Sequence, residues 1–463
     1  MKTLGIWGLG VVGQSVARYC LTHHIPVSLL NDRPLTPEQC SFLEQTGLFC
    51  QTGPMAIDPF LAAHERILVS AGIDLRPYQK HAHKFLGELD LFAQEWHKPF
   101  IAITGTVGKT TVTHVLGAVL NHLGQKVAVG GNIGVGLCDL LALRQAQDAP
   151  DADSAMLEVS SFQLELSKSF AADLAIWTNF SPNHIDRHGT LEAYRDAKNK
   201  LITMQRAGQK ALVPFSLRDV LQKGEGDIFY FSDEQPGVAL AKTGHPEARR
   251  DRREEPSASK EEFASTFYFD HNKLRCGYAT IITVDKDPET ILRQNWLIIA
   301  SALHLLGLTE HINDAAAYID TLAKPEHRLE FIGTFGGKLF YNDSKATTPT
   351  ATNAALEQFK DKSVTLILGG VSKGVDRTPF MQSLPKHVSH VICFGSEAND
   401  LAEACNIKNV TVCSTLENVI KSAHEKSAAG EIILFSPAGA SFDLFTNYAE
   451  RGTMFKKLVA MLK

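Results

Sequence analysis

Within residues 105–111, Gly105-Thr106-Val107-Gly108-Lys109-Thr110-Thr111, glycines, a lysine and hydroxyls stand at the spacing needed to hold a phosphate. Glycines let successive backbone N–H groups converge on an anion, and the positive end of a following helix adds attraction. Lys109 would reach the terminal phosphates of a nucleotide and the Thr110 hydroxyl would ligate Mg²⁺, which implies ATP. A full phosphate loop carries a further glycine six positions before its lysine, and Ile103 stands there instead. An ordinary helix cap is the plain alternative for such a run.

Other residue types point to the same chemistry. Glu158 and His184 each follow a short apolar run, the second being Leu174–Thr178, and both are expected at the sheet edge that carries Lys109. A carboxylate and an imidazole there could hold a divalent cation against phosphates, although each alone also suits a cap or a surface position. In a helix expected over Thr190–Gln205, Lys198 shares the inward stripe of Leu191, Tyr194, Leu201 and Ile202, whereas Arg195, Asn199 and Lys200 are expected to face away. Burial lowers an amine's pKa and makes it reactive, so Lys198 could carry a modification or meet a phosphate; the alternative is that it snorkels to solvent. Farther on, Arg328, Asp343 and Lys345 stand beside a domain junction, where they could clamp a nucleotide from the opposite side.

A second glycine pattern, Gly8-Leu9-Gly10-Val11-Val12-Gly13, joins an apolar run at 3–7 to a helix that reaches about His23, and Asp32 and Arg33 follow the run Val27–Leu30. The spacing suits a diphosphate at a helix N-terminus, with Asp32 placed as a ribose-binding acid and Arg33 favouring a phosphorylated ligand. Close strand–helix packing would produce the same spacing.

These residues need a scaffold of strand–loop–helix units. After the phosphate loop, Val112, Val115, Leu116, Val119, Leu120 and Leu123 recur on one helical face and Gly124 supplies a stop. The runs Thr365–Leu368, Val391–Phe394 and Ile432–Phe435 each end in turn residues with helical stretches between them, the pattern of a parallel sheet. Breaks at His97-Lys98-Pro99 and Ala323-Lys324-Pro325-Glu326 divide the 463 residues into three expected α/β domains. They are a Rossmann-like domain over 1–97, a central P-loop ATPase-like domain with a parallel sheet over 98–323, and a Rossmann-like C-terminal domain over 324–463. The doubly charged run His245–Glu262 reads as a solvated insertion loop.

Composition narrows the class. At 44% hydrophobic residues the chain can bury several cores, and a net charge of -5 argues against a general nucleic-acid grip. Eight cysteines without a Cys-x-x-Cys pair suggest neither zinc nor a disulfide framework, hence a reducing compartment. With no apolar stretch long enough to span a bilayer, a cytoplasmic protein without membrane insertion is expected.

Eight motifs in order carry a resemblance across essentially the whole chain. They are Gly-Thr-Val-Gly-Lys-Thr-Thr (105–111), Gly-Gly-Asn-Ile-Gly (130–134), Glu-Val-Ser-Ser-Phe-Gln-Leu-Glu (158–165), Asn-His-Ile-Asp-Arg-His-Gly (183–189), His-Arg-Leu-Glu (327–330), Asn-Asp-Ser-Lys-Ala-Thr (342–347), Leu-Gly-Gly-Val-Ser-Lys (368–373) and Ser-Pro-Ala-Gly-Ala-Ser-Phe-Asp (436–443). In these the chain resembles the Mur ligases, and most closely their D-glutamate-adding branch. The resemblance implies an ATP-dependent, ADP-forming amide ligase. It would add D-glutamate to UDP-N-acetylmuramoyl-L-alanine through an acyl phosphate, in cytoplasmic peptidoglycan precursor synthesis.

It further implies that Gly105–Thr111, Asn295, Arg328 and Asp343 contact ATP, that Lys109 and Thr110 serve its phosphates and Mg²⁺, and that Glu158 and His184 ligate Mg²⁺, with Mn²⁺ as an alternative ion. Lys198 would be carbamylated to hold a second cation, and Lys345 would stabilise the transition state. Gly10, Val11, Val12, Asp32 and Arg33 would grip the UDP part and Asn132 the muramoyl part, while Thr347, Lys373, Ser441 and the backbone near Tyr448 would meet D-glutamate. No nucleic-acid partner is implied, and a monomer is expected.

The family pattern has Asn at Val107, Pro at Ala71 and Cys at Gly439. Val107 motivates one alternative, a catalytically silent nucleotide-binding regulator of the same fold. A folylpolyglutamate synthetase would lack the Gly8–Gly13 fingerprint, and an NAD-dependent dehydrogenase would leave the Lys109 loop unexplained.

Overall fold

The computed structural model describes residues 3–132, 135–145, 152–234, 260–322 and 326–462. Apolar runs buried on both faces, such as Phe100–Thr104 and Val364–Gly369, form strands covered by helices on either side, as parallel sheets require. The first sheet is all parallel: β1 (Leu4–Trp7), β2 (Val27–Asn31), β3 (Cys50–Thr52), β4 (Ile67–Val69) and β5 (Phe85–Leu86), in the order β3-β2-β1-β4-β5.

The second sheet comprises β6 (Phe100–Thr104), β7 (Val127–Gly131), β8 (Ser154–Glu158), β9 (Leu174–Trp177), β10 (Lys210–Pro214), β11 (Asp227–Phe231), β12 (Thr266–Asp270), β13 (Lys273–Cys276) and β14 (Ala279–Thr283). Its order is β14-β13-β12-β11-β10-β9-β6-β8-β7, antiparallel only along β12-β13-β14. The third contains β15 (Glu330–Phe335), β16 (Lys338–Asn342), β17 (Val364–Gly369), β18 (Val388–Phe394), β19 (Val410–Cys413) and β20 (Ile432–Phe435), in the order β15-β16-β20-β17-β18-β19. Only its β15-β16 pair is antiparallel.

By compactness the chain forms two units, 1–180 with 195–322 and 181–194 with 323–463. The first two sheets therefore share a unit, and the contacts that join them are both apolar and polar. One core cluster runs from Ile6, Val16 and Leu29 to Leu137, Leu141 and Trp177. Arg18 makes a two-point pair with Asp139 at 2.8 and 2.7 Å, and the Ser15 hydroxyl accepts the Asp139 N–H at 2.9 Å. Asp90, in the helix Glu88–Glu95, accepts from the Ser167 hydroxyl at 2.7 Å and from the Lys168 and Ser169 N–H groups at 2.9 Å each.

Some expectations need correction. The helix read over Thr190–Gln205 spans Leu191–Thr203, and Asn199 is buried beside Lys198 rather than outward, its amide donating to the Gln222 carbonyl at 2.9 Å. A polar side chain can face inward where a loop carbonyl is waiting for it, which sequence spacing alone does not reveal. Residues 323–325 of the second break, residues 245–259 of the charged run, and Ile133 and Gly134 lie outside the described residues. All eight cysteines are unpaired. Among the described residues no helix is long and apolar enough to cross a membrane.

The joint between the first two sheets holds a titratable group. Glu88 is 3% exposed and accepts from the Gln163 amide at 2.6 Å, and burial pushes its carboxyl up to about 7 against the lowering effect of that bond. An acid whose pKa is higher folded than unfolded stabilises the fold while neutral, and this contribution disappears as pH rises from about 4.5 through 7. The Tm of the wild type is therefore expected to fall more steeply than that of Glu88→Gln between about pH 5 and pH 8. Thermal scans across that range check this, and parallel slopes would contradict it.

Candidate functional site

The phosphate loop leaves the C-terminal end of β6 and enters the helix Lys109–His122 through Gly108, whose φ is +83°. Gly105 has a φ of +150°, and a Cβ on it would lie 2.0 Å from the Thr178 hydroxyl. No residue other than glycine fits there without displacing the end of β9. Thr178 and Asn179, just past that end, clamp the loop from outside. The Thr178 hydroxyl donates to the Val107 carbonyl at 2.6 Å, the Asn179 side-chain oxygen accepts the Val107 N–H at 2.9 Å, and its NH₂ donates back to the Val107 carbonyl at 2.9 Å. Position 107 is thus held through its backbone, and its side chain is half-buried.

Two ammonium groups converge on one carbonyl oxygen. Lys109 Nζ donates to the Gly105 carbonyl at 2.9 Å and to that of Thr106 at 3.1 Å, and Lys198 Nζ donates to the same Gly105 carbonyl at 2.8 Å. Lys198 is 2% exposed, so it does not snorkel. Burial, aided by the charge of Lys109 and opposed by that of Glu158, holds its amine well below the usual lysine range. Glu158, the last residue of β8, is buried at 3% exposure and accepts from the Asn132 amide at 3.3 Å. Asn132 follows β7, where Gly131 at φ +115° passes so close that a Cβ would lie 2.3 Å from the Glu158 carbonyl. Asn295, in the first turn of the helix Arg293–Leu305, completes the group from behind: a Cβ on Gly108 would stand 2.9 Å from its side-chain oxygen.

The structure therefore brings together Gly105–Lys109, Asn132, Glu158, Lys198 and Asn295, at the C-terminal ends of adjacent strands β7, β8 and β6. Thr110 and Thr111 are buried in the helix's first turn, and the Thr111 hydroxyl has no protein hydrogen-bond partner. An orphaned hydroxyl, two ammonium groups and a buried carboxylate fit a triphosphate with a Mg²⁺ ion that keeps waters and phosphate oxygens in its shell. Among the described residues no three carboxylate, imidazole or thiol groups cluster as a self-sufficient metal cage. His184 belongs to the segment 181–194, which groups with the second compact unit. It sits at φ +54° ahead of the short helix Ile185–His188.

In the N-terminal fingerprint the glycines divide by role. A Cβ on Gly13 would lie 1.9 Å from the Gly8 carbonyl, so that glycine answers to strand–helix packing. Gly10 caps the helix Val11–Thr22, and a Cβ there would meet nothing within 4 Å, which leaves its backbone approachable. Val11 is exposed, Val12 half-buried, Asp32 half-buried and Arg33 exposed at the end of β2.

In the second unit the candidates gather at the C-terminal ends of β16, β17 and β20. Asp343, buried just past β16, accepts from the Leu329 N–H at 3.2 Å and the Ser436 hydroxyl at 2.7 Å. Burial pushes its carboxyl up to about 7, opposed by the Ser436 bond and then by the charge of Arg328. Lys345 Nζ lies over the Tyr448 ring, 5.3 Å from its centre, and Lys373 Nζ donates to the Thr347 hydroxyl at 3.3 Å. Ser441 is buried after β20. Sequence reading missed Arg451, which is 1% exposed and donates to the Ser344 hydroxyl and carbonyl at 3.0 and 2.8 Å and to the Gly439 carbonyl at 3.0 Å. It ties the loops after β16 and β20 together. The signal for it, one arginine in a helix late in the chain, is too common to notice.

Known proteins resemble the chain over its whole length. Residues 103–243 match the Mur ligase middle domain and residues 327–439 the Mur ligase, glutamate ligase domain. A UDP-N-acetylmuramoylalanine--D-glutamate ligase of Desulfotalea psychrophila is 34% identical over 100% of this chain and 96% of that protein. One of Koribacter versatilis is 32% identical over 99% and 97%. Among solved structures, a pseudomurein peptide ligase type C from Methanothermus fervidus superposes with a TM-score of 0.58 at 16% identity, covering 100% of both chains. The MurF ligase from Thermotoga maritima in complex with ADP gives 0.56 at 17% identity, over 87% of this chain and 91% of that one. With this full-length similarity, the chain belongs to the Mur ligase family.

Proposed function

We propose that the chain is the ligase that joins D-glutamate to UDP-N-acetylmuramoyl-L-alanine in cytoplasmic peptidoglycan precursor synthesis, consuming ATP and releasing ADP. The observation that carries this reading is the pair of lysines on the Gly105 carbonyl, which makes a polyanion-binding centre of the phosphate loop. Full-length similarity to ligases of that specificity supports these substrates. Labour is divided among 1–97 for the UDP moiety, 98–323 for ATP and 324–463 for the amino acid. No membrane insertion is required, and the working form is a monomer.

The reaction runs in two displacements. An oxygen of the nucleotide substrate's terminal carboxylate attacks the γ-phosphorus, the bond to the β-phosphate oxygen breaks, and ADP leaves from an acyl phosphate. The amine of D-glutamate then attacks the acyl carbon, phosphate departs with the bonding pair, and the nitrogen loses a proton to give the amide. Gly105–Thr111 orient the triphosphate, with Lys109 offsetting charge on its far end. Asn295, Arg328 and Asp343 position the nucleotide. Lys345 stabilises the charge that develops on the transferring phosphoryl group.

Thr110, Glu158, His184 and Lys198 as a carbamate are assigned to bound Mg²⁺, which would supply charge neutralisation; Mn²⁺ is an alternative ion. The depressed pKa of the Lys198 amine supports that assignment, because only a neutral amine adds CO₂. Gly10, Val11, Val12, Asp32 and Arg33 take the UDP part, Asn132 the muramoyl part, and Thr347, Lys373, Ser441 and the backbone at Tyr448 the carboxylates of D-glutamate.

Phosphate release is expected only when ATP, Mg²⁺, UDP-N-acetylmuramoyl-L-alanine and D-glutamate are all present. Equal release with L-glutamate would remove the stereospecific reading, and ATP binding without any release would favour a silent regulator. Lys198→Ala should lose about a hundredfold or more of kcat, a loss that an added short-chain carboxylate partly restores; unaltered turnover would refute the carbamate. Gly105→Ala, whose new Cβ collides with Thr178, should weaken ATP binding by tenfold or more in calorimetric titration, about 1.4 kcal/mol.

A further inference from the structure

At the end of β17 the chain runs through Gly369, Gly370, Val371, Ser372 and Lys373, and Lys373 stands at φ +54°. That region disfavours any residue with a Cβ, so the surroundings must hold it there. They do so with an ion pair of a buried arginine and a half-buried glutamate. Arg377, 5% exposed, donates from Nη1 to the Gly369 carbonyl at 3.2 Å and from Nη2 to the Gly370 carbonyl at 2.9 Å and to Glu397 Oε2 at 2.5 Å. The other oxygen of Glu397 accepts the Ser372 N–H at 3.0 Å. On the opposite side Val371 and Ala440 exchange N–H···O bonds of 2.9 and 2.8 Å.

Room for the guanidinium exists because position 439 is glycine. A Cβ there would stand 2.7 Å from Arg377 Nη1 and 2.3 Å from the Gly369 carbonyl. Arg377, Glu397 and Gly439 therefore form one device, in which a two-pronged cation fixes the carbonyls and its carboxylate partner fixes the next donor. The residue immediately after that donor is Lys373, whose ammonium meets the Thr347 hydroxyl at 3.3 Å.

We propose that Arg377 and Glu397 are positioning residues that set affinity for the amino-acid substrate by locking Lys373 beside Thr347. The proposal rests on the assignment of Lys373 and Thr347 to the carboxylates of D-glutamate. Arg377 and Glu397 act through the backbone of residues 369–372. Loosening the lock should weaken binding in ground and transition states alike, so KM rises while kcat stays.

The experiment is steady-state kinetics on Glu397→Ala and Glu397→Gln, with the full chain and each substrate varied in turn. In Glu397→Ala, KM for D-glutamate should rise about tenfold, with kcat and the KM values for ATP and the nucleotide substrate within about twofold. Glu397→Gln should recover much of the loss, since its amide oxygen still accepts the Ser372 N–H. An unchanged amino-acid KM in a folded Glu397→Ala overturns the proposal, as does a parallel rise of all three KM values with a lowered Tm. If the wild type couples another amino acid and not D-glutamate, the substrate assignment fails while the KM of that amino acid still tests the pair. Arg377→Lys, which keeps the charge but cannot reach all three oxygens, should shift the same KM in the same direction.

Discussion

The structure depends most on the double use of the Gly105 carbonyl. Two lysine amines lie 2.9 and 2.8 Å from one oxygen, and Lys198 is too buried for water to solvate a charge on it. Burying an amine is costly, and its pKa shifts downward in answer, as that of Lys198 does beside Lys109 and against the pull of Glu158. Glu158, the carboxylate whose charge opposes that shift, also accepts from the Asn132 amide.

Strand order supplies the edge on which that centre is built. Because β9, β6, β8 and β7 are neighbours and parallel, the residues after each strand arrive at one edge: Thr178 and Asn179, the phosphate loop, Glu158 and Asn132. The same rule organises the third sheet, where the ends of β16, β20 and β17 deliver Asp343, Ser436 and Lys373. There the buried cations are arginines, whose forked donors tie loop to loop: Arg451 joins the segments after β16 and β20, and Arg377 holds the segment after β17. Lysine could not span those acceptors, because a single ammonium lacks the fixed planar fork.

Several of these features were readable in the residues. Gly105 to Thr111 announced a phosphate loop by glycine spacing and the helix behind it. Lys198 stood out because a charge on an apolar stripe needs a reason, and the structure buries it. Less was readable where the same signal has two causes. Gly10 and Gly13 look equivalent in the fingerprint, yet the one is open and the other is wedged against the Gly8 carbonyl. Asn199 looked outward by helical spacing and is buried, because a carbonyl from a distant loop meets it.

The amino-acid sequence by itself determined the local units: which runs become buried strands, where glycine must admit a tight backbone, and which lysine lies on an apolar stripe. Those follow from near-neighbour sterics and hydrophobic periodicity, which act over a few residues. Tertiary structure alone decided that Asn179 pins the phosphate loop, that Arg377 reaches Glu397, that Glu88 is sealed at a joint between sheets, and that His184 packs with the second unit. These outcomes rest on contacts between residues far apart in the chain, and such pairings arise from strand order and packing, which no local pattern encodes.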